Sequence, residues 1–267
     1  MSGPQRVAVI GAGAWGTTLA DLLARKALAV TIWAREPEVV QGINRDHENS
    51  VFLPRAPLAP ALVATGDLAE SVRDADVVVS AAPSHAVRGV MTSVASAVRR
   101  TPLVVSVSKG LEPEGQNRLS CVLGEVFGRA TPVAVLSGPS FAQEVYERQP
   151  TAVVAAAGDH DVARRVQDVF STGTFRVYTA TDVVGVELGG ALKNVIALAA
   201  GIAEGLGLGH NPRAALITRG LAELTRLGVA LGADPLTFAG LAGLGDLVLT
   251  ATGALSRNRS LGVELGR

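Results

Sequence analysis

The sequence predicts an α/β protein with a doubly wound, mostly parallel sheet, followed by an all-helical C-terminal part. Short apolar runs rich in Val and Ile alternate with helix-compatible segments up to about residue 179. Because these runs are apolar throughout, both faces of the sheet are expected to be covered by helices. Beyond that point the apolar pattern is helical only, and no further strand is expected.

Seven apolar runs are predicted as strands. They are Arg6–Ile10, Ala29–Trp33, 76–80, 103–107, 132–136, Thr151–Ala156 and 175–178. Helices are predicted between most of them, at 17–26, 86–99, 117–127, Ala142–Tyr146 and 161–170. Residues 44–60 contain three prolines, and this composition favours a loop without regular structure.

The helical part is predicted to begin after a boundary near residues 178–182. Segments 182–206 and 214–231 are long, rich in Ala, Leu and Gly, and free of internal proline. Pro212 and Pro235 stand where helices are expected to start, because proline is tolerated in a first turn. We therefore predict a domain of residues 1–180 and a helical domain of residues 181–267.

Composition narrows the function classes. The 267 residues are 48% hydrophobic and 18% charged, with a net charge of zero, which excludes disorder and gives no reason to expect nucleic acid as a partner. The single cysteine, Cys121, excludes an internal disulfide and fits a reducing, cytoplasmic location. Stretch 195–203 is shorter than the ~18 residues of a membrane span. The four histidines lack ligand spacing, so no metal site is expected.

A glycine motif follows the first predicted strand and opens a helix. Gly11, Gly13 and Gly16 form the pattern G-x-G-x-x-G, which in this context is typical of a Rossmann-type dinucleotide site. The first glycine makes the tight turn, the second lets the backbone approach a pyrophosphate, and the third permits close helix–strand packing. The alternative is a glycine-rich turn of the kind found in any α/β protein.

Cofactor preference is expected to depend on the end of the second strand, where Arg35 and Glu36 follow Trp33. An arginine there suits the 2′-phosphate of NADP, whereas an acid suits the free ribose of NAD. The sequence therefore favours NADP and leaves NAD open. A solvated surface charge is the alternative interpretation of Arg35.

Polar residues also follow two later strands. Lys109 comes after 103–107, while Gly138 and Ser140 come after 132–136. Because ligands of open α/β sheets bind beyond the carboxyl ends of the strands, these residues are candidates for a substrate site. For Lys109, an ordinary surface charge is the competing interpretation.

Within the helix predicted at 182–206, the only charged residues between Val183 and Leu208 are Glu187, Lys193 and Glu204. Gly189 and Gly190 lie in its middle, and each costs about 1 kcal/mol relative to alanine. We therefore expect this helix to pack closely on another backbone or a ligand. An ammonium among apolar residues must be paired or lose basicity, which suits an acid/base catalyst. Alternatively, Lys193 extends its ammonium to solvent.

A last polar cluster lies near the end of the chain. Asp246 is followed by Thr250 and then by Ser256, Arg257 and Asn258. Arginine and asparagine side chains together offer several donors that suit a phosphate. The competing interpretations are a helix N-cap for Asp246 and a solvated loop for the tripeptide.

Five motifs, in this order along the chain, closely resemble the bacterial NAD(P)-dependent glycerol-3-phosphate dehydrogenase family. They are GAGAWGTTL from Gly11, SKGLE from Ser108, LSGPSFAQEV from Leu136, ELGGALKN from Glu187, and GLGDL from Gly243 with SRNR from Ser256. The resemblance implies reversible reduction of dihydroxyacetone phosphate to sn-glycerol 3-phosphate, a precursor of phospholipids.

The resemblance also implies roles for individual residues. The catalytic residues are Lys193 as acid/base, with Lys109 and Asp246. The cofactor-binding residues are Gly11, Gly13, Trp15, Gly16, Arg35, Lys109, Ala142 and Arg257. The substrate-binding residues are Lys109, Gly138, Ser140, Lys193, Asn194, Asp246, Ser256, Arg257 and Asn258. Two nearby lysines would lower each other's pKa, and Asp246 would oppose that effect.

A homodimer is expected from the resemblance. Members of this family typically continue beyond the position of Arg267, with further helices and a Val-Glu segment at the cofactor. The helical domain is therefore expected to be incomplete. Two other functions are compatible with the motifs. One is a related dehydrogenase that acts on a non-phosphorylated 3-hydroxy acid and does not need Arg257. The other is an inactive NAD(P)-binding module.

Overall fold

A computed structural model describes residues 5–267 of the chain. Eight strands form one sheet within these residues. They are β1 (Arg6–Ile10), β2 (Ala29–Trp33), β3 (Val63–Thr65), β4 (Val77–Ser80), β5 (Leu103–Ser106), β6 (Val133–Ser137), β7 (Thr151–Ala156) and β8 (Phe175–Ala180). Their order is β3-β2-β1-β4-β5-β6-β7-β8. All neighbours are parallel except β6 and β7, so the predicted mostly parallel sheet is confirmed.

Helices surround the sheet and form the whole C-terminal part. They are α1 (Ala14–Arg25), α2 (Pro37–Gln41), α3 (Leu68–Val72), α4 (Val87–Ala97), α5 (Leu119–Phe127), α6 (Ala142–Tyr146), α7 (His160–Phe170), α8 (Val183–Gly205), α9 (His210–Ala230), α10 (Pro235–Ala239), α11 (Asp246–Thr252) and α12 (Arg257–Gly266). Two π-helical turns, Gly42–Asp46 and Leu241–Gly245, add to these.

Both faces of the sheet are buried, as its apolar strands predict. In β4, Val77 and Val79 pack on the side of α1 and α7, whereas Val78 packs on the side of α4 and α5. A separate cluster, which includes Val135 of β6 and Val186 of α8, joins the sheet to the helical part. The last strand ends at Ala180 and α8 begins at Val183.

Some short elements differ from the sequence expectations. The three-residue strand β3 and the five-residue helices α2 and α3 were not predicted, since elements this short show a period only weakly. Helix α9 begins at His210 rather than at residue 214, since proline at position 212 fits its first turn. Residues 47–62 contain neither helix nor strand, yet several of their apolar side chains are buried.

Helix α8 is the central helix of the C-terminal part. By length and composition alone it could cross a membrane, with a mean hydropathy of 1.5, unlike the shorter stretch 195–203 considered from the sequence. Half of that segment is buried inside the protein, where it packs against α9, α11 and α12. The apolar composition of α8 therefore also fits a helix in the core of a protein.

Glycines bring α8 and α12 into close contact along parallel axes. A Cβ atom placed on Gly201 would lie 2.9 Å from the Cα atom of Gly262, and Gly205 faces Gly266 in the same way. Because the residue numbers rise together along the two helices, the start of α12 lies beside the turn of α8 that contains Asn194. The glycine pairs thus fix where Arg257 and Asn258 lie relative to α8.

Candidate active site

Gly11, Gly13 and Gly16 lie in the turn between β1 and α1, and each has its own reason to be glycine. Gly11 has φ +115°, and a Cβ atom there would lie 2.9 Å from the carbonyl oxygen of Ala81. A Cβ atom on Gly16 would collide with the carbonyl oxygen of Gly11. At Gly13 a Cβ atom would meet nothing within 4 Å, so this glycine borders open space.

The same turn provides a site for an anion. Strand β1 lies between β2 and β4, the switch point where ligands of such sheets bind. No side chain caps the N-terminus of α1, and its first turn contains no acidic residue. Its free N–H groups and partial positive charge therefore face the open space at Gly13. These features fit the pyrophosphate of a nicotinamide dinucleotide.

Trp15 and Ala142 lie near this turn, and both make contacts within the protein. The ring of Trp15 packs against Phe175, with ring centroids 6.4 Å apart. Any contact of Trp15 with a pyrophosphate at the turn would involve its backbone N–H, in the first turn of α1. Ala142 opens α6, and its carbonyl oxygen accepts a hydrogen bond from Thr18 Oγ1 at 3.2 Å. Helix α6 is thereby attached to α1.

Arg35 follows β2, and its side chain is 83% exposed. Its guanidinium forms an ion pair with Glu36 at 2.8 Å. An exposed ion pair is worth little, at most about 1 kcal/mol, so Arg35 can exchange it for another anion. The local structure therefore allows either cofactor, as the sequence suggested.

Lys193 is buried in α8 and paired with Asp246. Its ammonium donates to one carboxylate oxygen of Asp246 and, at 2.7 Å, to Thr250 Oγ1. Thr250 donates its own proton to the main-chain oxygen of Asp246 at 2.6 Å, which leaves its lone pairs for Lys193. The side chain of Lys193 is only 7% exposed. The alternative of an ammonium extended to solvent is therefore wrong.

Lys109 binds the second carboxylate oxygen of Asp246. Its ammonium lies 2.7 Å from that oxygen and 2.9 Å from the carbonyl oxygen of Gly138. The Lys109 side chain is 21% exposed, so it borders the site, whereas Lys193 is enclosed. Asp246 is the first residue of α11 and caps no N–H group of that helix. The N-cap interpretation of Asp246 is thus wrong. We call Lys109, Lys193 and Asp246 the lysine cluster.

The pKa of Lys193 is lowered to about 7. Burial is the largest cause, because the charged amine loses its hydration, and the positive charge of Lys109 adds to the effect. The carboxylate of Asp246 raises the pKa and opposes both. For Lys193, this is the balance that the family resemblance implies. An amine with this pKa can donate or accept a proton near neutral pH.

The two glycines in the middle of α8 are explained by close packing. A Cβ atom on Gly189 would collide with the carbonyl oxygen of Ala242, and one on Gly190 would lie 2.6 Å from Ser137 Oγ. The expected close approach of α8 to another backbone is therefore confirmed. It brings Lys193 next to the ends of β5 and β6.

Gly138 and Ser140 lie in the turn after β6. Gly138 has φ +145°, and its carbonyl oxygen accepts hydrogen bonds from Lys109 and from Ser140 Oγ, each at 2.9 Å. This turn therefore gives the ammonium of Lys109 a second acceptor besides Asp246, and the two acceptors together fix its direction.

Four further predicted residues lie on α8 and around the start of α12. Ser256 is buried and caps α12, accepting a hydrogen bond from Arg259 N at 3.2 Å. Arg257 is exposed, and Asn194 and Asn258 are partly buried. Within residues 5–267, the side chains of Arg257, Asn258 and Asn194 make no hydrogen bond, so their donors are available to a ligand.

Two polar residues of this region were not assigned a role from the sequence. Thr250 supports Lys193, and its spacing of four residues from Asp246 was the available signal. Glu187 is buried in α8 and accepts hydrogen bonds from Arg118 Nη1 at 2.9 Å and Ser120 N at 2.8 Å. It thereby caps α5 and ties α8 to that helix, a role that required knowledge of which helices meet.

The switch-point turn and the titratable lysine lie at the same edge of the sheet, where its parallel strands have their carboxyl ends. Together they define the class, an oxidoreductase that uses a nicotinamide dinucleotide. The family model for the N-terminus of NAD-dependent glycerol-3-phosphate dehydrogenase matches residues 6–163. The model for the C-terminus of the same enzyme matches residues 182–267. The chain therefore belongs to the NAD-dependent glycerol-3-phosphate dehydrogenase family.

Individual relatives agree with this assignment. The chain is 58% identical over 265 residues to glycerol-3-phosphate dehydrogenase [NAD(P)+] of Geobacter sulfurreducens, covering 98% of this chain and 79% of that protein. It is 52% identical to the enzyme of the same name from Moorella thermoacetica over 98% of this chain and 78% of that protein. The crystal structure of glycerol-3-phosphate dehydrogenase from Coxiella burnetii matches with a TM-score of 0.95 and 41% identity, over 98% of this chain and 80% of that one. The cofactor is accordingly NAD or NADP.

Proposed function

We propose that this chain reversibly reduces dihydroxyacetone phosphate to sn-glycerol 3-phosphate with NADPH or NADH. The observation that carries the proposal is the buried ammonium of Lys193, which shares Asp246 with Lys109 and has a pKa of about 7. The names of the similar enzymes support the choice of substrate.

Lys193 acts as the acid in ketone reduction. When bound, the nicotinamide cofactor supplies a hydride to the ketone carbon. Negative charge then develops on the ketone oxygen, and Lys193 transfers its proton to that oxygen. In the reverse direction the neutral amine of Lys193 removes the hydroxyl proton. With a pKa of about 7, both forms of this lysine are populated near neutral pH.

Lys109 and Asp246 prepare the site for that proton transfer. Asp246 holds both ammonium groups in place before the reaction, so little reorganisation is needed when charge develops. Lys109 contributes a second positive charge near the substrate, and it lowers the pKa of Lys193. The hydrogen bond from Lys193 to Thr250 is a second contact, besides that with Asp246, that holds the ammonium in one orientation.

Arg257 and Asn258 bind the substrate phosphate, with Ser256 supporting them as the cap of α12. Their donors are free, and the parallel packing of α12 on α8 brings them beside Asn194. An arginine–phosphate contact is charge-assisted and can be bidentate. Gly138 and Ser140, in the turn that holds Lys109, border the same substrate.

The decisive experiment is a turnover assay of the purified chain with dihydroxyacetone phosphate and NADPH, followed by NADPH absorbance. Turnover is expected, and Arg257→Ala should raise KM for this substrate by about 10- to 100-fold, the effect of losing a charge-assisted hydrogen bond. Arg226→Ala, at an exposed arginine of α9, is the matched control and should leave KM unchanged.

Other outcomes identify the competing functions. Turnover of a non-phosphorylated 3-keto acid, with no dependence on Arg257, would indicate a 3-hydroxy acid dehydrogenase instead. Cofactor binding without any turnover by folded protein would indicate a binding module. Either result would refute the proposed reaction.

NADPH is the proposed preferred reductant, because Arg35 follows β2 and can bind the 2′-phosphate. Glu36 competes for this guanidinium, so the preference should be moderate. The ratio of kcat/KM for NADPH to that for NADH measures it. Arg35→Ala should lower this ratio, and an unchanged ratio would remove Arg35 from cofactor selection.

The wider context of the enzyme is proposed from the family resemblance. It includes a dinucleotide-binding domain of residues 1–180, a helical domain of residues 181–267, a homodimer, a cytoplasmic location and a role in supplying phospholipid synthesis. The end of β8 at Ala180 and the start of α8 at Val183 support the domain boundary. Light scattering of the purified chain tests the dimer, which a monomeric mass would exclude.

A further inference from the structure

Residues 47–62 contain neither helix nor strand, but they are firmly attached to α1. The backbone N–H of Ala59 donates to Asp21 Oδ1 at 2.6 Å, and Arg25 donates to the carbonyl oxygen of Pro57 at 2.9 Å. Five apolar side chains of the segment are buried: Leu53, Ala56, Leu58, Ala59 and Leu62. The segment is therefore a packed structure beside the helix that starts at the glycine turn.

Asn49 connects this segment to the glycine turn itself. The residue is 1% exposed, and its Nδ2 atom lies 2.8 Å from the carbonyl oxygen of Ala12 and 2.8 Å from Thr17 Oγ1. Thr17 Oγ1 also donates to the carbonyl oxygen of Ala12 at 3.1 Å. Phe52 N donates to Asn49 Oδ1 at 3.1 Å, which fixes the orientation of the amide.

The peptide group between Ala12 and Gly13 is thereby fixed in one orientation. Because a trans peptide is planar, its N–H group points opposite to its carbonyl oxygen. The carbonyl oxygen of Ala12 is held on the protein side by Asn49 and Thr17. The N–H group of Gly13 must then point away from them. An anion bound at this N–H would find the donor already oriented.

We propose that Asn49 is a positioning residue for the cofactor pyrophosphate and acts through the carbonyl group of Ala12. The inference rests on the proposed role of the glycine turn in cofactor binding. Asn49 does not itself touch the cofactor. By holding the turn in its binding conformation, it removes an ordering cost that binding would otherwise include.

Asn49→Ala tests this proposal, with Asn44→Ala as the matched control. Asn44 belongs to the adjoining π-helical turn and also makes two backbone hydrogen bonds, both to Ala64 at 2.8 Å. It does not contact the glycine turn. Each variant therefore removes an asparagine amide that binds the backbone, from a buried position at Asn49 and from an exposed position at Asn44. Only the amide of Asn49 holds the proposed pyrophosphate site.

Binding of ADP-ribose, which contains the pyrophosphate but no nicotinamide, is measured by titration calorimetry. Asn49→Ala should weaken ADP-ribose binding about tenfold, the effect expected when a buried hydrogen bond is lost. Asn44→Ala should leave the affinity unchanged. In turnover, Asn49→Ala should raise KM for NADPH while kcat and KM for dihydroxyacetone phosphate stay near their wild-type values.

Thr17→Val provides a second, milder variant that removes only a hydroxyl. It should weaken ADP-ribose binding less than Asn49→Ala. In the double variant the two effects should not multiply, because both side chains act on one carbonyl group. If Asn49→Ala fails to fold, the ADP-ribose affinity of Thr17→Val tests the proposal by itself. Weaker binding supports the proposal, and unchanged binding contradicts it.

The outcomes separate this inference from the proposed function. If Asn49→Ala lowers Tm but binds ADP-ribose as tightly as the wild type does, Asn49 is only structural and the inference is wrong. Equal losses in the Asn44 and Asn49 variants would also overturn it. If the wild type binds neither ADP-ribose nor NADPH, the proposed cofactor role of the turn is wrong and the inference falls with it.

Discussion

The glycine turn and the lysine cluster prepare the protein for negative charge by opposite means. The turn contains no charged group and relies on backbone N–H groups at the start of α1, made accessible by the missing side chain of Gly13. The cluster relies on two ammonium groups that are held by one buried carboxylate. One is a steric and dipolar site, and the other is a titratable site.

This difference is reflected in the choice of basic residue. Only three of the 24 basic residues are lysines, and two of these three form the lysine cluster. Arginine remains charged in proteins, whereas a buried lysine can lose its proton in the neutral range. Proton transfer therefore requires lysine at position 193, while arginine is sufficient for binding anions. The two sites should respond differently to mutation and to pH.

The largest expected effect belongs to the titratable site. Lys193→Met should lower kcat by about 1,000-fold, within the range that general acid–base catalysis provides, and leave the Kd for NADPH nearly unchanged. Stopped-flow turnover and fluorescence titration measure the two quantities. Lys26→Met is the control, because Lys26 is a partly buried lysine that binds carbonyl oxygens of α7. A near-normal kcat for the Lys193 variant would remove the acid/base assignment.

Gly13→Ala should have the opposite signature. The new methyl group meets no atom of the described protein within 4 Å, so Tm should stay close to the wild-type value. It would occupy the proposed pyrophosphate space, and the Kd for NADPH should rise about 10- to 100-fold if one strong hydrogen bond is lost. Gly89→Ala, in α4 with equally open surroundings, is the control. Unchanged affinity at Gly13 would contradict its proposed role.

The pH dependence of turnover should come from the lysine cluster and not from the glycine turn. Reduction requires protonated Lys193. The kcat/KM for reduction of dihydroxyacetone phosphate should therefore fall as pH rises through about 7, the pKa of this amine. Oxidation of glycerol 3-phosphate requires the neutral amine and should increase over the same range. Binding of ADP-ribose at the turn should show no such transition. Profiles that do not depend on pH would argue against Lys193 as the proton donor.

Lys109→Met sharpens this test with a smaller effect. The positive charge of Lys109 lowers the pKa of Lys193, so its removal should move both pH profiles to higher pH. A shift to lower pH would show that the two ammonium groups do not interact as described.

The two sites also differed in how well the sequence predicted them. The glycine turn occupies six consecutive residues between a strand and a helix, so its structure followed from local pattern. For Lys193, the sequence left burial and solvent exposure as alternatives. Only the contacts with Asp246 and Thr250 distinguish them. Asn49 lies in a segment interpreted as an ordinary loop, and no local pattern indicated its contact with Ala12.

The order of strands and helices, the glycine turn and the family motifs were available from the amino-acid sequence, because each depends on neighbouring residues and their periodicity. The packing of α8 against β6 and α11 was required to bring positions 109, 193 and 246 together. Burial and mutual distance set the pKa of Lys193, and both arise between segments far apart in the chain. No local pattern contains that information.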